Sequence, residues 1–295
     1  MELVSEAAVH FSRLSMFPYF DGAHYLVSVL SAREQAGALD VASRSPFASW
    51  FSAMLCCFGG GILSSILLAE PPVAIFSNST NIIYASVVWY MVYYFPLDLF
   101  YRCFCFLPLR VIAAAMKEVT RTWKILAGVS QAHGRFKDAL LVMVVNGWAK
   151  AAGGGLISNF EQLVRGVWKP ESNELLKMSY PVKISLLGSV LFTLQHVELL
   201  PIERHHLLFI YTMFLITIKV RMMLTRSSAS PFQPAEELIG RLLFGLQQAS
   251  KVSKEKVTSD KDEPRVKENI SKEETGASSS ESSDSTRKRN PKKSE

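Results

Sequence analysis

Long apolar runs dominate the first 225 residues of the 295-residue chain. A helix needs about 20 mainly apolar residues to cross a bilayer, and residues 47–69 supply such a run without a charged side chain. Four further runs contain few charged residues, namely 81–101, 139–160, 184–200 and 207–224. The hydrophobic pattern alone therefore predicts five membrane-spanning helices.

An internal repeat adds two less apolar segments, 17–31 and 107–129, to the predicted spans. The tripeptide Gly-Gly-Gly that begins at Gly59 recurs 94 residues later at Gly153, followed each time by two aliphatic residues and a serine. The same offset places 17–31 on 107–129 and 47–69 on 139–160. Each half then has three spans, and an odd number inverts the second copy because the intervening linker is too short for another helix.

The predicted fold is an all-α membrane protein with seven transmembrane helices, arranged as an inverted 3+3 repeat plus one helix, and a disordered C-terminal tail. The tail prediction follows from the residues after position 250, which are mostly charged or serine and have almost nothing to bury. The predicted organisation is a first three-helix repeat (1–106), a second, inverted repeat (107–201), a seventh span (202–226), an amphipathic segment (227–250) and a cytosolic tail (251–295).

The net charge of +6 does not indicate nucleic-acid binding. Many of the basic residues flank apolar runs, where they orient the membrane spans. Lysine and arginine are more frequent in the loops that lie on the same side as the tail. This bias predicts a luminal N-terminus and a cytosolic C-terminus. The chain contains no nucleotide-binding loop, nucleophile elbow or zinc-protease motif, so we do not expect an enzyme.

A polar segment surrounds Pro201 between two predicted spans. It contains two glutamates and three histidines, namely His196, Glu198, Glu203, His205 and His206. Their spacing matches no standard set of metal ligands, so a polar luminal turn is the preferred interpretation. Metal binding is left unassigned.

The span 107–129 contains charges that do not belong in lipid. An ionised residue at the bilayer centre costs about 2.5–3.5 kcal/mol on the mildest scale. Lys117, Arg121 and Lys124 are spaced i, i+4 and i+7 and so share one helical face, while Glu118 can reach Arg121 one turn later. This face requires internal ion pairs, a water-filled path or an anionic lipid.

The glycine triplets are also costly, because each glycine destabilises a helix interior by about 0.8–1 kcal/mol relative to alanine. One explanation is close helix packing. The other is that both spans bend or break, which would expose backbone carbonyls to ions near the bilayer midplane. The residues concerned are Gly59, Gly60, Gly61, Gly153, Gly154 and Gly155. Nearby Lys150, Asp98 and Asp21 either line a path or form pairs.

The segment Lys117-Glu118-Val119-Thr120-Arg121 resembles the KEVxR motif of the trimeric intracellular cation channels. The glycine triplets match the second and fifth helices of that family, and the segments 17–21 and 89–98 are also similar to it. The resemblance covers about residues 1–225. The chain length and the lysine-rich C-terminus, which includes Lys292 and Lys293, make it most similar to type A.

The resemblance implies a homotrimer with one potassium-permeable pore per subunit, which supplies counter-ion current during calcium release and uptake. It implies the membrane of the endoplasmic or sarcoplasmic reticulum, with the nuclear envelope as a further location. Lys117 and Arg121 would bind phosphatidylinositol bisphosphate, and Lys117, Glu118 and the glycine triplets would act in the pore and its gating. Voltage and calcium are candidate regulators, and the tail partners are unknown. A secondary transporter is the alternative, because carriers also use inverted repeats.

Overall fold

A computed structural model describes residues 2–167, 169–170 and 173–225, and every regular element in these ranges is helical. All of them fall within one unit of the chain, Met1–Gln233. The helices are α1 (Glu2–Ser12), α2 (Tyr19–Arg33), α3 (Ala38–Arg44), α4 (Pro46–Leu67), α5 (Ser79–Tyr94), α6 (Leu99–Cys105), α7 (Leu107–Arg135), α8 (Leu140–Leu156), α9 (Ser158–Val164), α10 (Glu174–Lys177), α11 (Tyr180–His196) and α12 (Arg204–Leu224). The amphipathic segment and the tail predicted after residue 226 lie outside the described residues.

Local sequence signals account for the starts of α4 and α5. The Ser45 side chain accepts a hydrogen bond from the Ala48 amide at 3.3 Å, and Pro46 follows it at the first helical position of α4. The Asn78 side chain caps α5 in the same way, accepting from the Thr80 amide at 3.1 Å. The first residues of α4 and α5 are therefore determined by neighbouring residues in the sequence.

Three of the described helices are long and apolar enough to cross a membrane by themselves: Pro46–Leu67, Leu140–Val164 (α8 and α9 taken together) and Arg204–Leu224. The pair α5 and α6 gives a fourth span if its bend is ignored. Length and hydropathy do not select α2 and α11, which have 15 and 17 residues, or α7, which carries the charged face. These three helices pack against the apolar ones in the pattern of the repeat.

The predicted span 81–101 is not one straight helix. Helix α5 ends at Tyr94, and α6 turns away from it by 90°. Pro96 cannot donate the hydrogen bond that would continue α5, and Leu97 and Asp98 have positive φ angles of 58° and 55°. Asp98 then forms an ion pair of 2.9 Å with Arg33, so of its two predicted roles the structure shows the pair.

The contacts between α4 and α8 show that the repeat is inverted. Gly60 faces the backbone carbonyl of Lys150, and its repeat equivalent Gly154 faces the carbonyl of Cys56, which is the equivalent of Lys150. Such reciprocal contacts are what a two-fold axis produces. Because the residue number rises along α4 as it falls along the facing α8, the two helices are antiparallel. The axis therefore runs across the helices, as an inverted repeat requires.

The glycine triplets pack helices together and do not break them equally. Helix α4 continues without interruption through Gly59–Gly61 to Leu67, so a break does not occur there, and the contacts of these glycines agree with the alternative of close packing. Helix α8 ends at Leu156, directly after the second triplet, and Ile157 separates it from α9. The first triplet remains helical because the absence of side chains lets the facing backbone approach while the hydrogen bonds of α4 stay intact.

Two apolar clusters stabilise the bundle. One joins α2, α4 and α5 around Tyr25, Phe58 and Val92, and the other joins α7, α11 and α12 around Ile125 and Phe192. The clusters thus follow the two halves of the repeat. Polar residues lie between them, where α2, α4, α7 and α8 meet.

Candidate functional site

A cavity of about 330 Å³ lies between the two halves of the repeat. This volume is at the lower end of the range for small-molecule sites. Side chains from α2, α4, α7, α8, α10 and α11 line it. Four basic residues are among them, namely Lys117, Arg121, Lys124 and Lys150.

The three basic residues of α7 face this cavity together, as their spacing predicts. The Lys117 ammonium donates a hydrogen bond to the Ser28 hydroxyl at 3.1 Å, and the Lys124 ammonium lies 2.7 Å from Nε2 of His24. Both partners are on α2. The basic face of α7 is therefore held against α2 by hydrogen bonds to uncharged side chains, which leave the lysine charges without a neutralising partner in these contacts.

Arg121 differs from the two lysines because it forms a buried ion pair. Its Nε lies 2.7 Å from a carboxylate oxygen of Glu118, as the sequence spacing predicts, and its Nη1 donates to the Ser185 hydroxyl at 3.2 Å and to the Pro181 carbonyl at 3.3 Å. The Glu118 residue is only 1% exposed. Arg121 therefore links α7 to α11 while still bordering the cavity.

Lys150 reaches the cavity from α8, one turn before the second glycine triplet. Its ammonium donates to Oε1 of Gln131 at 2.5 Å, and Nε2 of Gln131 donates to Glu70 at 2.8 Å. Gln131 thus connects Lys150 to a partly exposed carboxylate at the end of α4. Lys150 thus lines the cavity, whereas Asp21 is not among the lining residues.

Only half of the predicted glycine positions border the cavity. Gly60, Gly154 and Gly155 line it. A side chain on Gly59 would instead approach the methyl group of Ile157 at 2.7 Å, and one on Gly61 would collide with Ile75. The other half of the triplet positions therefore serve helix packing outside the cavity.

Sequence spacing did not identify Glu174, which contributes a carboxylate to the cavity wall. It precedes α11 in a short helix outside the repeated spans, so neither the repeat nor a hydrophobic pattern signals its position. Ser28 and Gln131 were missed for a related reason, since their roles depend on which helix packs against theirs. The net charge of the lining side chains is positive, which suits an anionic group better than a bare cation.

The predicted polar turn around Pro201 divides into two groups. Glu203 accepts contacts of 3.1 Å from His205 and 3.4 Å from His206, and the potential ligand atoms of these three residues lie within 4.8 Å of one another. His196 instead packs its ring 4.3 Å from that of His133. The residues near Pro201 therefore do not form one common cluster.

An inverted repeat of apolar helices around a charged cavity defines a multi-pass membrane protein with a path or binding site between its halves. The family model described as TRIC channel matches residues 35–226. The chain belongs to the TRIC channel family. This result confirms the family resemblance based on the Lys117–Arg121 motif and the glycine triplets.

The curated relatives correct the predicted subtype. A trimeric intracellular cation channel type B-A of Xenopus laevis is 73% identical over 248 residues, which cover 84% of this chain and 87% of the relative. The type B channel of Xenopus tropicalis is 70% identical over 269 residues (90% and 95%), and that of Homo sapiens is 53% identical over 243 residues (82% and 84%). The prediction of type A is wrong. It rested on the chain length and the tail, whereas the family match ends at residue 226.

Solved structures of related channels share the fold. One, described as the structural basis for activity of TRIC counter-ion channels in calcium release, is 76% identical with a TM-score of 0.74 and covers 76% of this chain and 100% of its own. A trimeric intracellular cation channel from C. elegans with bound Ca²⁺ is 34% identical with a TM-score of 0.70 and covers 77% and 98%. These relatives are channels, which confirms the prediction that the chain is not an enzyme.

Proposed function

We propose that the chain forms a homotrimer in which each subunit contains a potassium-permeable pore, gated by phosphatidylinositol bisphosphate, that supplies counter-ion current during calcium release and uptake. Family membership supports a cation channel. The words "counter-ion channels in calcium release" describe a structure 76% identical to this chain, which supports the physiological role. The relatives are named trimeric and intracellular, which supports the assembly and a reticulum or nuclear-envelope location.

The main support for lipid gating is that Lys117 and Arg121 both line the cavity. A polyphosphorylated head group carries several negative charges, and closely spaced ammonium and guanidinium groups bind phosphate oxygens through charge-assisted hydrogen bonds. The acceptor of the Lys117 hydrogen bond is the uncharged hydroxyl of Ser28, which an anionic phosphate oxygen can replace. Arg121 keeps Glu118 as a fixed partner, so Lys117 supplies the larger share of the lipid attraction.

The position of this basic face also suggests how lipid controls conduction. Helix α7 contacts α2 through Lys117 and contacts α11 through Arg121, so it bridges the two halves of the repeat. A head group bound at the face holds these helices in one arrangement. Because the face is charged and lies within a membrane, voltage acts on it as well, at about 2.3 kcal/mol per charge for each 100 mV crossed.

Orientation and calcium control complete the proposal. A luminal N-terminus and a cytosolic tail follow from the distribution of lysine and arginine among the loops. Calcium is a candidate regulator, and the C. elegans relative with bound Ca²⁺ supports testing it. The alternative of a secondary transporter shares the inverted repeat but lacks the support that family membership gives a channel.

Planar-bilayer recording tests the proposal. Purified protein is fused into bilayers with potassium on both sides, and wild type is compared with Lys117→Ala in the presence and absence of phosphatidylinositol bisphosphate. We expect unitary potassium currents in wild type that increase with the lipid, and a reduced response in the variant. Lys137→Ala is the matched control, because Lys137 is exposed and does not line the cavity.

Two results would overturn the proposal in different ways. Absence of unitary current under all voltages and lipids, combined with solute movement in liposomes, would favour the carrier. Unitary currents that change neither with the lipid nor with Lys117→Ala would support a channel but refute lipid gating.

A further inference from the structure

The cavity presents an electrostatic problem for a cation channel. Four of its lining side chains are basic, and fixed positive charges repel potassium and attract chloride. A cation-conducting path through this region needs a carboxylate that is not already neutralised by a basic partner. The carboxylates around the cavity can be compared on this point.

Two of these carboxylates are neutralised by arginines of their own helical segments. Glu118 pairs with Arg121 at 2.7 Å, and Glu161 pairs with Arg165 at 2.5 Å. Both glutamates are only 1% exposed. Arg165 additionally binds Gln35, so the second pair fixes the connection between α9 and the end of α2. Neither carboxylate provides a free negative charge for an ion.

Glu174 is different because its contacts leave its charge in place. One carboxylate oxygen accepts a hydrogen bond from the Ser179 amide at 2.9 Å, and none of the ion pairs among residues 2–167, 169–170 and 173–225 involves it. Its side chain lines the cavity and is partly buried. A backbone amide orients a carboxylate but does not neutralise it, so the full negative charge faces the cavity.

The second glycine triplet lies beside this carboxylate. A Cβ atom on Gly155 would lie 3.5 Å from Cγ of Glu174 and 3.7 Å from its carboxyl carbon, which is van der Waals contact. Gly154 and Gly155 of α8 and Ser158 of α9 line the cavity, so this wall presents mostly backbone and small polar groups beside Glu174.

We propose that Glu174 is a selectivity-determining residue, whose carboxylate attracts potassium into the cavity and offsets the repulsion of the lysines. This inference rests on the proposed channel function. It places the source of cation preference on the wall formed by α10 and the second glycine triplet, opposite in charge to the basic face of α7. The lysines then hold the lipid while Glu174 favours the permeant cation.

Reversal potentials in asymmetric potassium chloride test the inference. A unit charge about 4 Å from an ion in water changes the occupancy of that ion roughly fivefold. The same charge repels chloride, so we expect Glu174→Gln to lower the potassium-to-chloride permeability ratio by at least about fivefold. Glu174→Lys should lower it further, and Glu174→Asp should retain most of it. Glu203→Gln is the matched control, because this glutamate is exposed and does not line the cavity.

Chemical modification of a cysteine variant tests the charge at position 174 in channels that are already folded, so the result does not depend on how a substitution affects folding. Glu174→Cys channels already conducting in the bilayer are treated with a negatively charged methanethiosulfonate reagent and, separately, with a positively charged one. Because the free Cys56 and Cys57 also line the cavity, both are first replaced by serine. The attached charge should raise the ratio in the first case and lower it in the second, while the serine-substituted channel that keeps Glu174 stays constant when treated in parallel.

The outcomes separate this inference from the proposed function. Wild-type channels that prefer potassium, combined with an unchanged ratio in the glutamine, lysine and modified cysteine channels, would refute the role of Glu174 alone. Wild-type protein without any unitary cation current would refute the channel itself, whatever the variants do.

Discussion

Replacing Gly153 by alanine should push α4 and α8 apart at their crossing. The new methyl group would collide with the backbone nitrogen and Cα of Gly60 and would lie 2.9 Å from the carbonyl oxygen of Gly59. All of these obstacles are backbone atoms inside a continuous helix. A flexible side chain could rotate away, but here one whole helix must shift.

Two opposing contributions set the size of the effect. Alanine in a helix interior gains about 1 kcal/mol over glycine. Inserting a methylene into a packed interior costs about 1–3 kcal/mol when neighbouring side chains can adjust, and the rigid obstacle at Gly153 places the cost at or above the upper end. The net loss of stability should therefore be about 2 kcal/mol.

Thermal unfolding of the purified protein in detergent measures this loss, and Gly155→Ala is the control from the same triplet. A side chain at Gly155 meets its nearest neighbour at 3.5 Å, so this variant should unfold at or above the wild-type temperature. Gly153→Ala should unfold clearly below it. Adding Gly60→Ala should cost less than its own single effect, because both methyl groups separate the same two helices.

The opposite order of the two alanine variants would contradict the packing explanation. If Gly153→Ala unfolded like wild type while Gly155→Ala were destabilised, the triplet would have to act through backbone flexibility rather than close approach. Channel activity of the same variants then distinguishes a hinge from a packing contact.

Two further predictions concern polar contacts between helices. Glu118→Ala leaves the Arg121 guanidinium buried without its counter-charge and should lower the free energy of unfolding by about 3–5 kcal/mol, measured as a lower unfolding temperature. Replacing both residues by methionine should restore much of this loss. Equal instability of the single and double variants would contradict the prediction. Tyr211→Phe removes a buried 2.5 Å hydrogen bond to the Ile184 carbonyl and should lower the free energy of unfolding by about 1 kcal/mol. The helix content measured by circular dichroism should not change. An unchanged unfolding temperature would show that this bond does not contribute to stability.

The sequence by itself determined the features that depend on short-range spacing or on self-similarity. Lys117, Arg121 and Lys124 share a face of any α-helix, because their spacing follows the helical period, and the Glu118–Arg121 pair follows from the same geometry. The repeat of the glycine triplets established equivalent helices and, through the odd number of spans, the inversion. The bend after Tyr94 also had a local signal in Pro96, although the apolar run concealed it.

Only the tertiary structure decided how these features are used. A glycine triplet has the same sequence whether it breaks a helix or admits a neighbour, and the choice depends on a facing backbone about 90 residues away. The Glu118–Arg121 pair follows from spacing, but the two lysines on α7 contact neutral groups of α2, and no spacing rule identifies those partners in advance. Glu174 lies in a short helix between the long helices of the second repeat, so its place in the cavity follows from the packing of helices distant in sequence.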